Sequence, residues 1–485
     1  MTSSVLSRVG GLGVLTAAGQ LLIIGTLPAY SNIFDPATYG EYVIFVGVFA
    51  VVSVIAGVRY DSAIVLPRND GVAASLSVLV MSIALTVSGL IVAATALASV
   101  PGLAPKHWTA AASHFGYGLA AATAVGALQR CFLSWCVRSR RFLSIGLGQF
   151  VFCLASVVAQ LSFARVMDQL PALIWGYVAA LAAQTACVSN SVFRARWSAP
   201  RAQLIRGMRL AARKYRRFPT YMVGYALASS VRERLIQIAL GIGAGAAVVG
   251  RFGLAYRVIF APNSLVYSAV SPVFFSIASR GSRLAVGRFA AGLVEATFVI
   301  LVVPYAAFAI EAPVLTDAVL SQRWHGTGPY LQALAGPALL LASTCWLDRA
   351  FDSFRRQRVA FSLELSFTVI SVICVGLLSR SVDAVSVVWA FGTLALAYYW
   401  AYFFSTFVAC GFSLADFRRA CVTGLLSLGI ALVFGVLTHQ LPMLSLRLPV
   451  YAVAMAGVIA VWIRFRGGAD ILRMLLQSRI DGGST

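Results

Sequence analysis

A chain of 485 residues that is 60% hydrophobic and only 11% charged, with a mean hydropathy of +0.86, lies outside the composition of soluble proteins, where about a quarter of residues are charged. This excludes a soluble multidomain enzyme and marks an integral membrane protein. The net charge of +22 would suggest nucleic acid in a soluble chain, but these arginines sit in short connectors between apolar runs, so nucleic-acid binding is the poorer reading.

Apolar segments of helical length run from 9 to 31, 39 to 58, 72 to 99, 110 to 129, 143 to 164, 172 to 193 and 219 to 243. They continue from 248 to 275, 287 to 310, 328 to 347, 359 to 379, 384 to 410, 420 to 438 and 447 to 463. Only helices and closed barrels satisfy the backbone in lipid, and runs of about 20 residues are too long for barrel strands. The expected fold is therefore an all-α integral membrane protein of about 14 transmembrane helices. The first run, preceded by Arg8, exceeds the apolar region of a cleaved signal peptide and reads as a retained anchor.

Sorting the connectors alternately tests that span count. One set holds 29 basic residues, from Arg8 through the cluster 194–217 to Arg479, and the other holds only Lys106, Arg165, Arg323, Arg380 and Arg447. Positive connectors stay in the cytoplasm, so both termini and the long basic connector are expected there. Within that connector Leu204, Met208, Ala211 and Tyr215 fall on one helical stripe with arginines around them, which predicts an amphipathic surface helix.

The connector divides the chain into an N-lobe over 1–195 (six spans), a linker over 196–217, a C-lobe over 218–410 (six spans), and a further helix pair with a tail over 411–485. An offset of 210 residues places "TYGEY" at 38–42 over "VVGRF" at 248–252 and pairs the first six spans with the next six. Six is even, so the lobes share orientation and are related by a pseudo-two-fold axis along the membrane normal, a transporter plan.

Four basic residues fit neither set: Arg232, Arg234, Arg251 and Arg257 lie inside or near the ends of the seventh and eighth spans. At 1.5 Å per residue, Arg232 to Arg234 stand about 20 Å from a helix start near Pro219, and Arg257 stands about 14 Å deep. Facing lipid there would cost at least about 2.5 to 3.5 kcal/mol each, so these side chains should face a hydrated interior. Arg232 and Arg234 are about 200° apart on the helical wheel, so Glu233 does not neutralise both within one helix. A buried pair that fixes packing remains the alternative. Glu295 and Glu364 also fall inside spans, as proton or cation sites or as arginine partners. Gln20, Gln149, Gln160 and Gln184 suit helix-to-helix hydrogen bonds.

The eight cysteines lack CxxC spacing and read as packing residues, and no two of the four histidines have metal-ligand spacing. No phosphate-binding glycine loop, nucleophile elbow or paired-carboxylate constellation is present. The sequence points to a molecule moved rather than transformed, with no catalytic residue, cofactor or metal expected.

Two stretches carry a resemblance. "VRYDSAIVLPR" at 58–68 closes the second span, and "YRRFPTYMVGYALASSVRERLIQIALGIGAGAAVVGRFGLAYRVIFAPNSLVYSAVSPVFFSIASR" at 215–280 covers the seventh and eighth. Both resemble the bacterial flippases that move lipid-linked O-antigen or exopolysaccharide repeat units, within the multidrug, oligosaccharidyl-lipid and polysaccharide exporter superfamily. The likeness runs over most of residues 5 to 410 and includes "DPATYGEY". It implies two six-helix lobes around a cationic cavity, alternating access, and an undecaprenyl-pyrophosphate-linked oligosaccharide as substrate. It further implies membrane lipids as surroundings, a polysaccharide polymerase and chain-length regulator as partners, and a bacterial inner-membrane location. Substrate-binding roles then fall to Arg59, Arg232, Arg234 and Arg257, and charge-partner or ion-coupling roles to Asp61, Glu233, Glu295 and Glu364. The three consecutive charges at 232–234 depart from the family's single polar residue. A drug or small-solute antiporter and a membrane glycan polymerase or ligase are the competing readings; the first would favour acidic cavity residues, and the second a larger outer loop.

The charge bias generates a topological prediction: a reporter fused after Arg217 that is active only in the periplasm should be silent. Activity there would overturn the assignment of the linker to the cytoplasm.

Overall fold

The structure is a computed structural model. It describes residues 3–67, 69–100, 106–139, 141–193, 201–216, 223–278, 281–379, 381–441 and 444–465. The C-terminal tail beyond 465 and the connector residues 194–200 and 217 lie outside them. Over their described residues the fourteen expected apolar segments fall mainly on helix, and the chain divides into two compact units, Gly11–Gly250 and Arg251–Thr485 with Met1–Gly10.

Within the first unit, α1 (Ser3–Gly25) from Gly11 onward and α2 (Leu27–Ile33) form one apolar path, bent by 41° between Gly13–Gly25 and Leu27–Ile33. The bend is local chemistry. Thr26 donates its hydroxyl back to Leu22 and Ile23 carbonyls at 3.0 and 2.9 Å, and Pro28 in the first turn of α2 has no N–H to continue the ladder. Next come α3 (Pro36–Gly57), the single-turn α4 (Tyr60–Ala63) and α5 (Asp70–Ala98), capped by Asn69 through the Gly71 N–H at 2.7 Å. The sequence continues through α6 (Lys106–Arg138), α7 (Phe142–Phe163), α8 (Gln169–Phe193), α9 (Arg201–Lys214) and α10 (Val223–Ala244), and closes on the first residues of α11 (Ala246–Ile259).

Glutamines join these helices. Buried Gln160 on α7 donates to the Leu173 carbonyl of α8 at 3.1 Å and to the Tyr42 hydroxyl of α3 at 3.3 Å, and accepts from Tyr30. Gln129 on α6 donates to Gln184 on α8 at 3.0 Å. α9 buries Ala211 in a cluster with Ile64, Leu76, Val80 and Cys136, while Arg209, Leu210, Arg213 and Lys214 stay exposed. The expected amphipathic helix is thus present over its described part.

The second unit runs from the rest of α11 through α12 (Ala261–Ala278), α13 (Arg283–Val319), α14 (Gly328–Thr344), α15 (Asp348–Ser353), α16 (Gln357–Leu378), α17 (Ala384–Cys410), α18 (Leu414–His439) and α19 (Leu444–Phe465). Its aromatic core gathers Phe274, Trp346, Phe351, Phe407 and Phe412. Asp383 caps α17 by accepting from the Ser386 hydroxyl and N–H at 2.7 and 3.1 Å, which holds its carboxyl below the usual aspartate range.

Ten helices among the described residues are long and apolar enough to cross a membrane, or eleven when the bent α1–α2 pair counts as one span. Leu85, Leu90 and Leu97 on α5 and Leu425, Val433 and Val436 on α18 are exposed, the reverse of a soluble surface and suited to hydrocarbon. The single eighth span expected over 248–275 is instead two helices. The break at Phe260 precedes Pro262, which sits in the first turn of α12 where its missing N–H costs nothing. α10, at 22 residues, has the length to cross but carries three adjacent charges.

The aligned motifs of the sequence meet in space. A Cβ on Gly40 would run into the Ala246 carbonyl and lie 2.9 Å from the Gly250 nitrogen, and one on Gly250 would run into the Pro36 carbonyl and lie 3.0 Å from the Gly40 nitrogen. Each glycine admits the other's backbone, so the openings of α3 and α11 touch main chain to main chain. Gly40→Ala or Gly250→Ala should therefore cost about 1 to 3 kcal/mol, seen as a lowered unfolding midpoint of the detergent-solubilised protein. Gly89→Ala, with nothing within 4 Å of the added carbon, should leave the midpoint unchanged or raise it.

Candidate functional site

The "RYDSAIVLP" stretch forms a charged corner at the end of α3. Val58 and Arg59 both adopt the left-handed region, at φ 44° and 58°, before the chain turns into α4. Neither residue is glycine and Val58 is β-branched, so each carries a strain of about 1 to 3 kcal/mol. Two side chains of α6, eight residues apart and hence on one face, hold this corner. Arg138 donates to the carbonyls of Ile64, Val65 and Pro67 and forms an ion pair with Asp70 at 2.7 Å. Arg130 faces Asp61 at 3.5 Å and donates to the Ser53 carbonyl at 3.1 Å. Tyr60 ties the corner to α9 by donating to the Ala212 carbonyl at 3.3 Å.

Arg59 and Asp61 are therefore brought together, with Arg130 as a third member that sequence reading had placed among the topological charges. Asp61 is 6% exposed, and its Oδ1 is buried without a hydrogen bond, as is Nε of Arg59. Arg130 alone faces the Asp61 carboxylate, and Arg59 stands within electrostatic range of Arg130.

Arg234 lies elsewhere in the same unit, on α10. Its aliphatic stem rests against Gly47 of α3, where a Cβ would stand 3.4 Å from Cδ, and its Nη1 reaches Gln237 at 3.4 Å. The Nε is buried without a partner, and no carboxylate among the described side chains pairs with it. The side chains of Arg232 and Glu233 lie outside the described residues.

The other expected residues fall in the second unit. Arg257 stands half-buried in the last turn of α11, and Arg251 has a buried, unpartnered Nε. Glu295 on α13 is 1% exposed, faces Arg419 of α18 at 3.3 Å and accepts from Trp462 of α19 at 3.4 Å. Glu364 on α16 accepts from the Tyr398 hydroxyl of α17 at 2.5 Å, and the Tyr398 ring stacks on Phe367. Both glutamates thus serve as partners that join helices.

Two ionic clusters of this unit were not anticipated. Glu311, 1% exposed near the far end of α13, meets Arg447 of α19 at 2.5 Å and His439 of α18 at 3.1 Å, while Arg447 also donates to the Leu441 carbonyl at 3.0 and 2.7 Å. Its signal was masked because Glu311 ended the apolar run that in fact continues as helix to Val319. The second cluster lies at the break between α14 and α15, where Arg349 donates to Ser271 at 3.1 Å and to the Tyr267 hydroxyl at 2.7 Å. Tyr267 in turn donates to Asp348 at 3.1 Å. Among the described residues no group of three His, Cys, Asp or Glu side chains could hold a metal ion, and the eight cysteines are free thiols.

A buried pair broken on one side strands a charge. Glu311→Gln or Arg447→Met alone should cost about 3 to 5 kcal/mol, whereas Glu311→Leu with Arg447→Met should recover most of the loss, as read from unfolding midpoints in detergent.

The described arrangement can attract an anion through Arg59, Arg130 and Arg234, and offers no nucleophile–base pair. The structure resembles the lipid II flippase MurJ in an inward closed conformation, with TM-score 0.68 and 10% identity, over 94% of this chain and 98% of that one. It also resembles an inward-facing multidrug resistance MATE family transporter of the MOP superfamily, with TM-score 0.53 and 12% identity, over 85% and 95%. A MOP superfamily transporter from Pyrococcus furiosus matches with TM-score 0.54 and 12% identity, over 84% and 96%. At such identities these likenesses establish the fold alone. No curated protein matches the sequence. The profile described as polysaccharide biosynthesis protein matches residues 31–329, well over half of the chain, and this protein therefore belongs to the polysaccharide biosynthesis protein family.

Proposed function

We propose that this chain is a flippase that carries an undecaprenyl-pyrophosphate-linked oligosaccharide repeat unit from the cytoplasmic to the periplasmic leaflet of a bacterial inner membrane, serving O-antigen, capsule or exopolysaccharide synthesis. The family membership and the MurJ-like fold support a lipid-linked substrate. The observation that carries the reading is Arg234, a guanidinium on a membrane-length helix with a buried, unpartnered Nε and no described carboxylate beside it. An unpaired cation at such depth is tolerated where water or an anion reaches it, at a cost otherwise of about 2.5 to 3.5 kcal/mol. Arginine suits a pyrophosphate because it stays charged and offers a planar fork to phosphate oxygens.

In this reading Arg232, Arg234 and Arg257 attract the pyrophosphate, with Arg59 near the end of α3 serving the same ligand and Glu233 tuning its neighbours. Alternating access then moves the head group while the lipid tail stays in hydrocarbon. A polymerase and a chain-length regulator act on the flipped unit. An antiporter for cationic drugs would present carboxylates, whereas Glu295 and Glu364 are engaged in helix-joining contacts.

Arg234→Gln should lower export of the repeat unit at least about tenfold at normal protein level, with unpolymerised lipid-linked units accumulating in the inner leaflet, and Arg234→Lys should restore part of the rate because it keeps charge without the fork. Gly47→Ala should be tolerated, and Gly47→Leu should impair export by displacing the Arg234 stem. Normal surface polymer with Arg232, Arg234 and Arg257 all changed to glutamine, in a strain lacking related flippases, would sink the reading.

A further inference from the structure

We propose that the outward side of α9 is a docking surface for the anionic phospholipid headgroups of the leaflet it lies against, with phosphatidylglycerol as the simplest ligand of that chemistry. The inference involves no transported substrate and stands independently of the flippase reading.

The sequence supplies the charge. Between Asp168 and Glu233 the chain has no acidic residue, while eight arginines and one lysine fall within 194–217. α9 is held on one side by contacts that use none of these cations. Ala211 is buried with Ile64, Leu76 and Val80, and the Ala212 carbonyl accepts from Tyr60. Gly207 lies so close to α5 that a Cβ there would stand 2.4 Å from the Ser75 hydroxyl oxygen.

At about 100° per residue, Arg209 and Arg213 stand opposite Ala211, and Leu210 and Lys214 line one flank between. All four are exposed, Leu210 by 70%. No ion pair among the described residues includes Arg209, Arg213 or Lys214. The surface therefore combines unneutralised cations with a leucine turned outward.

Depth decides the partner. Ala211 packs beside Leu76 and Val80, near the polar start of α5 where Asn69 and Asp70 are exposed. Leu85, 56% exposed and suited to hydrocarbon, follows Val80 after about 8 Å of helix. That distance matches a headgroup layer of about 5 to 8 Å per leaflet, so α9 lies at the level of the phosphodiesters. Leu66, 59% exposed in the loop that Arg138 grips, stands at the same polar end. A nucleic acid would meet the cations and leave both leucines in water. A bilayer surface takes both, with leucine at the acyl boundary and lysine and arginine reaching the phosphates.

The test is native mass spectrometry of the full chain released from micelles that contain dioleoyl phosphatidylglycerol, with dioleoyl phosphatidylcholine as the neutral control. The parent should hold phosphatidylglycerol at least about tenfold more tightly. Arg209→Gln, Arg213→Gln and Lys214→Gln together should remove most of that preference. Arg355→Gln, Arg356→Gln and Arg358→Gln, an equal charge change at exposed positions of the second unit, should leave it in place. Leu210→Gln should weaken phosphatidylglycerol at least about threefold with no change in charge.

In nanodiscs, phosphatidylglycerol should raise the unfolding midpoint of the parent above its value in phosphatidylcholine, because a ligand of the folded state stabilises it. The rise should vanish in the α9 triple variant, and also in the parent at about 1 M salt, where the screening length is about 3 Å. The substituted side chains are exposed, so every variant should share the parent's midpoint in phosphatidylcholine. Equal loss of preference in the two triple variants would assign the effect to net charge and overturn the site. No preference in the parent, or a preference that survives in the α9 triple variant, would overturn it as well. Loss on removal of the charges with none on Leu210→Gln would make the surface one for a soluble polyanion and remove the lipid. None of these measurements reads transport, so export lost or kept in Arg234→Gln bears on the flippase reading alone.

Discussion

A guanidinium that leaves water must find acceptors for its five N–H groups, and an apolar helical bundle offers almost none, because its carbonyls are spent within the helices. Where arginines end up in this chain follows from that shortage. Arg138 solves it at the end of α6, where the loop after α4 exposes three carbonyls and Asp70 stands beside it. Arg447 solves it with the Leu441 carbonyl and Glu311, and Arg349 with Tyr267 and Ser271 at a helix break. Each lies where a helix ends and the backbone has acceptors to give.

Arg59, Arg234 and Arg251 do not solve it, since each keeps a buried Nε without a partner. Burying an unsatisfied polar group costs on the order of 1 to 3 kcal/mol, and a charged one more. The left-handed backbone at Val58 and Arg59 adds strain of about 1 to 3 kcal/mol per residue at the same corner. The arginines therefore fall into two physical kinds. One kind fastens helices, and the other keeps a buried Nε short of an acceptor.

How legible this was in the sequence depended on distance along the chain. Helices could be read because hydropathy is a local property, and the described residues of the fourteen apolar segments are mainly helical. The broken eighth span was missed because its apolar run resumes directly after Pro262, Asn263 and Ser264, a punctuation too short to divide a run of helical length. Arg130 was counted with the connectors because its meaning depends on Asp61, 69 residues earlier, and nothing local records that encounter. Glu311 and Arg447 were invisible for the same reason: their pairing spans 136 residues, and each alone looks like the end of an apolar run. Arg234 stood out in the sequence because its oddity is local, a charge run inside a helix. Its resting place against Gly47 did not, since a glycine in an apolar helix carries no mark of what it makes room for.

The corner after α3 also joins elements that the sequence treats as separate. α4 is bonded to α9 through Tyr60 and Ala212, α9 buries Ala211 against α5, and α6 grips the loop on either side through Arg130 and Arg138. The basic helix read from the sequence as a surface linker is thus part of the same packed cluster as Ile64 and Leu76, and any displacement of α9 must be accommodated by the turn that carries Arg59. That single turn is itself buried, with Ala63 and Ile64 fully so and Tyr60 and Asp61 nearly so, and Arg130 faces it from α6, so packing as well as the Tyr60 hydroxyl ties it to its neighbours. The cationic corner is therefore coupled to the linker through packed side chains, while Arg138 keeps the loop beyond it in place.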